Sequence, residues 1–83
     1  MASVELSDAA LADLESLDIS LARRVVSKAI WFGEHFSELP HERLHGTLRD
    51  LYKLRVGDYR VIYSIRGQHV TVEAIRHRSD AYL

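Results

Sequence analysis

The chain has 83 residues, no cysteine and a formal net charge of −1. That length supports one modest core and no more, so a single domain over residues 1–83 is expected. The composition excludes a disulfide framework and a thiolate metal site, and no stretch is apolar for long enough to span a membrane. Glu5 and Asp8 stand where a secretion signal would carry basic residues and an apolar run, which implies a cytoplasmic location.

Charge is unevenly distributed. Through Glu42 there are three Lys/Arg against eight Asp/Glu, and from Arg43 onward eight against four. An acidic first half and a basic second half can mark a nucleic-acid-binding face, although the whole domain is not strongly basic.

Residues 2–6 read as a short strand with Val4 and Leu6 on one side. Ser7-Asp8 offers an N-cap, and the spacing predicts a helix over 8–17 with Leu11 and Leu14, joined by Ala10 and Leu17, on one stripe. Asp18 or Ser20 can cap a second helix running to residue 35, in which Leu21, Val25, Val26, Ala29, Ile30 and Phe32 form a broad apolar face. Two helices joined at 18–20 make a helical hairpin suited to covering a sheet. Trp31 lies beside that face, either at the core edge or as an anchor for a partner. Residues 38–47, with Pro40 and Gly46, read as a loop. His41 and His45 are four apart there, but no further ligand accompanies them and no metal is expected.

Residues 52–65 carry the strongest pattern. Tyr52, Leu54 and Val56 alternate with Lys53 and Arg55, Gly57-Asp58 interrupts, and Tyr59, Val61, Tyr63 and Ile65 alternate with Arg60, Ile62 and Ser64. Two period-two runs around a Gly-containing break predict a tight hairpin. In that register Val56 faces Tyr59, Arg55 faces Arg60 and Lys53 faces Ile62, so Lys53, Arg55 and Arg60 project from one side. Opposed arginines cost roughly 0.2–1 kcal/mol, which points to an anion between them; a solvated outer face is the alternative. A second turn at Gly67-Gln68 would pair Ile65 with Val70, Tyr63 with Val72 and Val61 with Ala74, leaving Ile75 beside Arg60 on the charged side. The tail, residues 76–83, is dense in cations.

Strand pairing gathers Lys53, Arg55, Arg60, Arg76, His77, Arg78 and Tyr82 toward one end of the sheet. Cations that hold phosphates beside an aromatic that stacks a base are what a single-stranded RNA site needs. RNA cleavage further requires that a 2′-hydroxyl lose its proton, that the phosphorane charge be stabilised and that the leaving 5′-oxygen be protonated. Arginines suit the second task. A lysine can be the base only if its pKa falls well below about 10.4, a direction in which neighbouring cations push it.

The order of short strand, helical hairpin, LYKLRVGDYRVIY and VTVEAIRHRSDAY resembles the RelE/ParE superfamily of toxins from type II toxin–antitoxin modules, over essentially the whole chain. The resemblance implies an α+β fold: an N-terminal short strand and helical hairpin packed on a small, mainly antiparallel β-sheet. It implies one of two activities, mRNA cleavage in the ribosomal A site (RelE type) or poisoning of DNA gyrase (ParE type). A third possibility is a toxin-derived module that acts in antitoxin complex formation and operon autoregulation.

In the RelE-type reading, Lys53 matches the general base, Arg55 replaces a second lysine, and Arg60 matches the arginine that stabilises the transition state. Arg76 matches the arginine assisting the leaving group, Tyr82 the base-stacking tyrosine, and His77 a histidine of related branches that can share acid duty. Arg55 stays protonated, so proton removal rests on Lys53 alone. No cofactor or metal is implied. The implied partners are a cognate antitoxin, the ribosome and mRNA, with operon DNA reached only through the antitoxin.

Overall fold

A computed structural model describes residues 2–44 and 50–79. The elements are β1 (Ser3–Leu6), α1 (Asp8–Glu15), α2 (Ile19–Glu34), a 3-10 turn (Phe36–Glu38), β2 (Glu42–Arg43), β3 (Tyr52–Val56), β4 (Tyr59–Arg66) and β5 (His69–His77). The five strands lie in the order β1-β5-β4-β3-β2, antiparallel except for the parallel β1–β5 pair. This is the expected α+β arrangement, a short strand and helical hairpin against a mainly antiparallel sheet.

Local chemistry starts both helices. Ser7 Oγ accepts the Ala10 N–H at 3.1 Å, and Asp18 accepts the Ser20 N–H at 3.3 Å, each satisfying a donor that a helix start leaves open. Hydrogen bonds from Ser20 hold the Asp18 carboxyl below the usual carboxylate range. Helix α1 stops at Glu15, short of residue 17, and its Ala10 is fully buried while Leu11 faces solvent. The expected loop over 38–47 contains the 3-10 turn's last residue and the two-residue strand β2, which extends the sheet beyond β3.

The β3–β4 hairpin has the register read from its alternation: Val56 opposite Tyr59, Arg55 opposite Arg60, Lys53 opposite Ile62. Gly57 takes φ +60°, which a tight turn needs and an L side chain resists. The Arg24 guanidinium of α2 lies over this turn, and a Cβ at Gly57 would come within 3.1 Å of its Nη2. Gly57→Ala should therefore cost about 1–2 kcal/mol from the left-handed backbone alone, measurable by urea denaturation.

The β4–β5 register departs from expectation. Ile65 pairs with Val70 and Tyr63 with Val72 as read, but Ile62 then pairs with Ala74, so Glu73 is an extra residue on β5. This β-bulge advances the rest of the strand by one position, which reverses the faces of everything after it. Ile75 consequently pairs with Val61 and is buried, not set beside Arg60, and Arg76 takes the place opposite Arg60. The Glu73 carbonyl at the bulge accepts Ser7 Oγ at 3.2 Å, so the residue that caps α1 also supports the irregularity.

The core lies between the helices and one sheet face. One cluster joins Ala10 and Val25 to Val56, Val61, Val72 and Ile75, and a second joins Ala2 and Phe32 to Tyr63 and Val70. In the second, Tyr63 stacks on Tyr52 with ring centres 5.6 Å apart, and its hydroxyl lies 3.0 Å from His41 Nδ1. His41 thus serves an aromatic cluster; its suggested companion His45 lies outside the described residues.

Burial, with lesser effects from Tyr52 and Glu42, raises the ionisation of Tyr63 well above the ordinary phenol range. The unfolded chain therefore releases this proton first. Stability contributed by the neutral hydroxyl is complete below pH about 10 and declines as pH rises beyond it. Urea denaturation at pH 9 and 11 should show a steep loss in the parent and a shallower one in Tyr63→Phe. At neutral pH that variant should lose about 1 kcal/mol with its hydrogen bond.

Candidate functional site

The sheet face turned away from the helices carries the expected cations. Register sets Arg55, Arg60 and Arg76 side by side across β3, β4 and β5, and Lys53 precedes Arg55 by two residues on the same face. Arg55, Arg60 and Arg78 line a polar cavity of about 150 Å³ at the hairpin turn, together with Gly57, Asp58 and Tyr59. Three guanidiniums thus border one small space, with the Asp58 carboxylate among them. The face is not uniformly solvated. Ile62, beside Lys53, is buried, and the Lys53 side chain is only 16% exposed.

Carboxylates that spacing does not reveal hold several of these cations. Lys53 Nζ lies 3.4 Å from Glu42 Oε2, its partner across the β2–β3 pair. Arg76 Nη1 lies 2.7 Å from Asp13 Oδ2 of α1, and the same oxygen accepts the Ile75 N–H at 3.0 Å. Arg78 is joined to Asp58 by a 2.8 Å backbone hydrogen bond and a 3.7 Å ion pair. Asp13 and Glu42 thus belong to the site although sequence reasoning passed over them. A separation of 63 positions between Asp13 and Arg76 leaves no local signal.

His77 falls on the opposite face from Arg76. It pairs with Tyr59, packs edge-on against that ring at 5.1 Å, and its Nδ1 accepts the Ser79 N–H at 3.2 Å. Tyr82 lies outside the described residues. Among the described residues no group of three or more His, Asp or Glu is placed to hold a metal ion, and no helix is long and apolar enough to cross a membrane.

A helical hairpin on a five-stranded, mostly antiparallel sheet is the fold of the RelE/ParE toxins, and solved structures of that class superpose on it. The chain belongs to the family of ParE toxins of type II toxin–antitoxin systems, whose model it matches over residues 4–82. The RelBE2 toxin–antitoxin complex of Mycobacterium tuberculosis includes a chain 24% identical, with a TM-score of 0.80 over 93% of this chain and 98% of that one. The RelE–RelB complex of Pyrococcus horikoshii is 27% identical, with a TM-score of 0.73 over 96% and 98%. The chromosomal ParDE system of P. aeruginosa reaches the same TM-score of 0.73 at 12% identity, over 93% and 96%. Comparison with curated protein sequences returns no match. RelE and ParE relatives fit the backbone about equally well, so the fold does not separate the two activities.

Proposed function

We propose that this toxin is a ribosome-dependent endoribonuclease that cleaves mRNA in the A site. The alignment of Arg55, Arg60 and Arg76 across three adjacent strands, with Lys53 on the same face, carries this reading. Lys53, once released from Glu42 and deprotonated to the neutral amine, takes the proton of the 2′-hydroxyl as that oxygen attacks the adjacent phosphorus. Arg60, with Arg55, stabilises the charge gathering on the phosphorane oxygens. Arg76 assists departure of the 5′-oxygen, which takes its proton from solvent water, Arg78 contributes to RNA binding, and Tyr82 stacks on the base; His77, on the opposite face, supports the site through Tyr59. The products are a 2′,3′-cyclic phosphate and a 5′-hydroxyl, and none of these steps calls on a metal. The setting is the cytoplasm, where ribosomes and mRNA meet.

The partner that restrains this activity is a cognate antitoxin. Ile19, Val26 and Ile30 of the helical hairpin are 69%, 41% and 59% exposed, a stripe wider than the sheet covers and suited to an amphipathic antitoxin helix. A second reading, gyrase inhibition by binding, is favoured by the match to the ParE family; a catalytically weak toxin acting mainly with its antitoxin is a third. Primer extension on a reporter mRNA with purified protein and stalled ribosomes separates them. Cuts within the A-site codon are expected; intact mRNA together with inhibited gyrase supercoiling would decide for the second reading.

A further inference from the structure

The first 42 residues contain only three Lys/Arg in an acidic stretch, and all three meet in one place. Arg23, Arg24 and Lys28 of α2 join Trp31, Arg55 and Gly57 around a groove of about 580 Å³ between that helix and the hairpin turn. No acidic side chain lines it, and among the described residues no carboxylate pairs with any of its four cations. By contrast, Arg43, Lys53, Arg76 and Arg78 each face an acidic partner, while Arg66 at the far turn stands by itself among the described residues. Four like charges without a carboxylate partner around one open concavity give a local positive potential that attracts an anion.

The groove and the three-arginine cavity share Arg55 and Gly57 in their walls. A strand whose phosphate sits in the cavity thus meets further cations on passing the turn. Trp31 is not an open stacking platform: His35 stacks on it at 4.8 Å and Lys28 Nζ lies 4.2 Å from its ring centre. The groove is therefore built for charge, not for reading bases.

We propose that this groove is a second phosphate subsite, which tracks the backbone of the RNA strand leaving the cavity and does so without sequence preference. The inference rests on the RNA-directed reading given above. It assigns binding, not chemistry, to Arg23, Arg24 and Lys28.

Fluorescence anisotropy with labelled, uncleavable 2′-O-methyl RNAs of three and ten nucleotides tests it on the full chain. The ten-mer should bind the parent more tightly than the trimer, which reaches only the cavity. In Arg23→Gln/Lys28→Gln that advantage should vanish. Ten-mer affinity should fall roughly ten- to thirtyfold at 0.1 M salt, and the slope of log affinity against log salt should shrink by about 1.4, the value for two lost contacts to a single strand. Ser27 is exposed in the groove wall, so Ser27→Glu places a carboxylate there without touching the core and should weaken the ten-mer similarly. Unchanged ten-mer binding in both variants would overturn the proposal. So would failure of the parent to bind either RNA, or occupancy by a polyglutamate peptide that RNA cannot displace. Ten-mer binding that depends on Arg23 and Lys28 in a protein that cuts no mRNA would retain the subsite while sinking the nuclease.

Discussion

Arg60→Ala is expected to lower mRNA cleavage on saturating ribosomes by about 10²–10³-fold, the usual consequence of removing one donor aimed at developing negative charge. Arg60 is the middle member of the Arg55–Arg60–Arg76 row and lines the small polar cavity, which is why the proposed mechanism gives it the phosphorane charge. Lys53→Ala should lose a comparable factor by removing the proposed base. Arg55→Ala serves as the contrast. It removes a like charge opposite Arg60 on an exposed position, so stability should hold or rise by a few tenths of a kcal/mol while activity falls. The measurement is a single-turnover cleavage rate paired with a thermal melt for each variant. Parental rates from all three would remove Lys53, Arg55 and Arg60 from the chemistry.

Asp13→Ala should lower stability by about 2 kcal/mol, or roughly 10 °C in Tm for a domain of this size. One carboxylate oxygen holds both the Ile75 N–H and the Arg76 guanidinium, and thereby ties α1 to the end of β5. Alanine leaves a half-buried backbone donor without its acceptor and a guanidinium without its counter-charge. The ion-pair share is modest because Arg76 is 41% exposed at the side chain and solvent screens it. Asp13→Asn keeps an acceptor for the Ile75 N–H and should lose about half as much. A double-mutant cycle with Arg76→Ala isolates the pair: a coupling near zero would reduce the 2.7 Å contact to a surface coincidence. The cycle also bears on function, since Arg76 can assist a leaving group only by turning its remaining N–H groups to RNA or by releasing Asp13.

The chain on its own determined the β3–β4 hairpin to the residue, because period-two alternation on both sides of Gly57-Asp58 permits one register that buries an apolar face. It likewise determined the start of α1 at Ser7, narrowed that of α2 to Asp18 or Ser20, of which the structure uses Asp18, and set the side of the sheet on which Lys53, Arg55 and Arg60 stand. Tertiary structure decided the rest. The bulge at Glu73 moved Ile75 into the core and Arg76 into the cation row; no local rule marks it, since burying Ile75 against Val61 and Ala10 is a gain only once the sheet and α1 have met. The pairing of Asp13 with Arg76, and the gathering of Arg23, Arg24 and Lys28 beside Arg55, join residues far apart in the chain. Such electrostatic partners depend on distance in space, which spacing along a sequence encodes only within a single helix or hairpin.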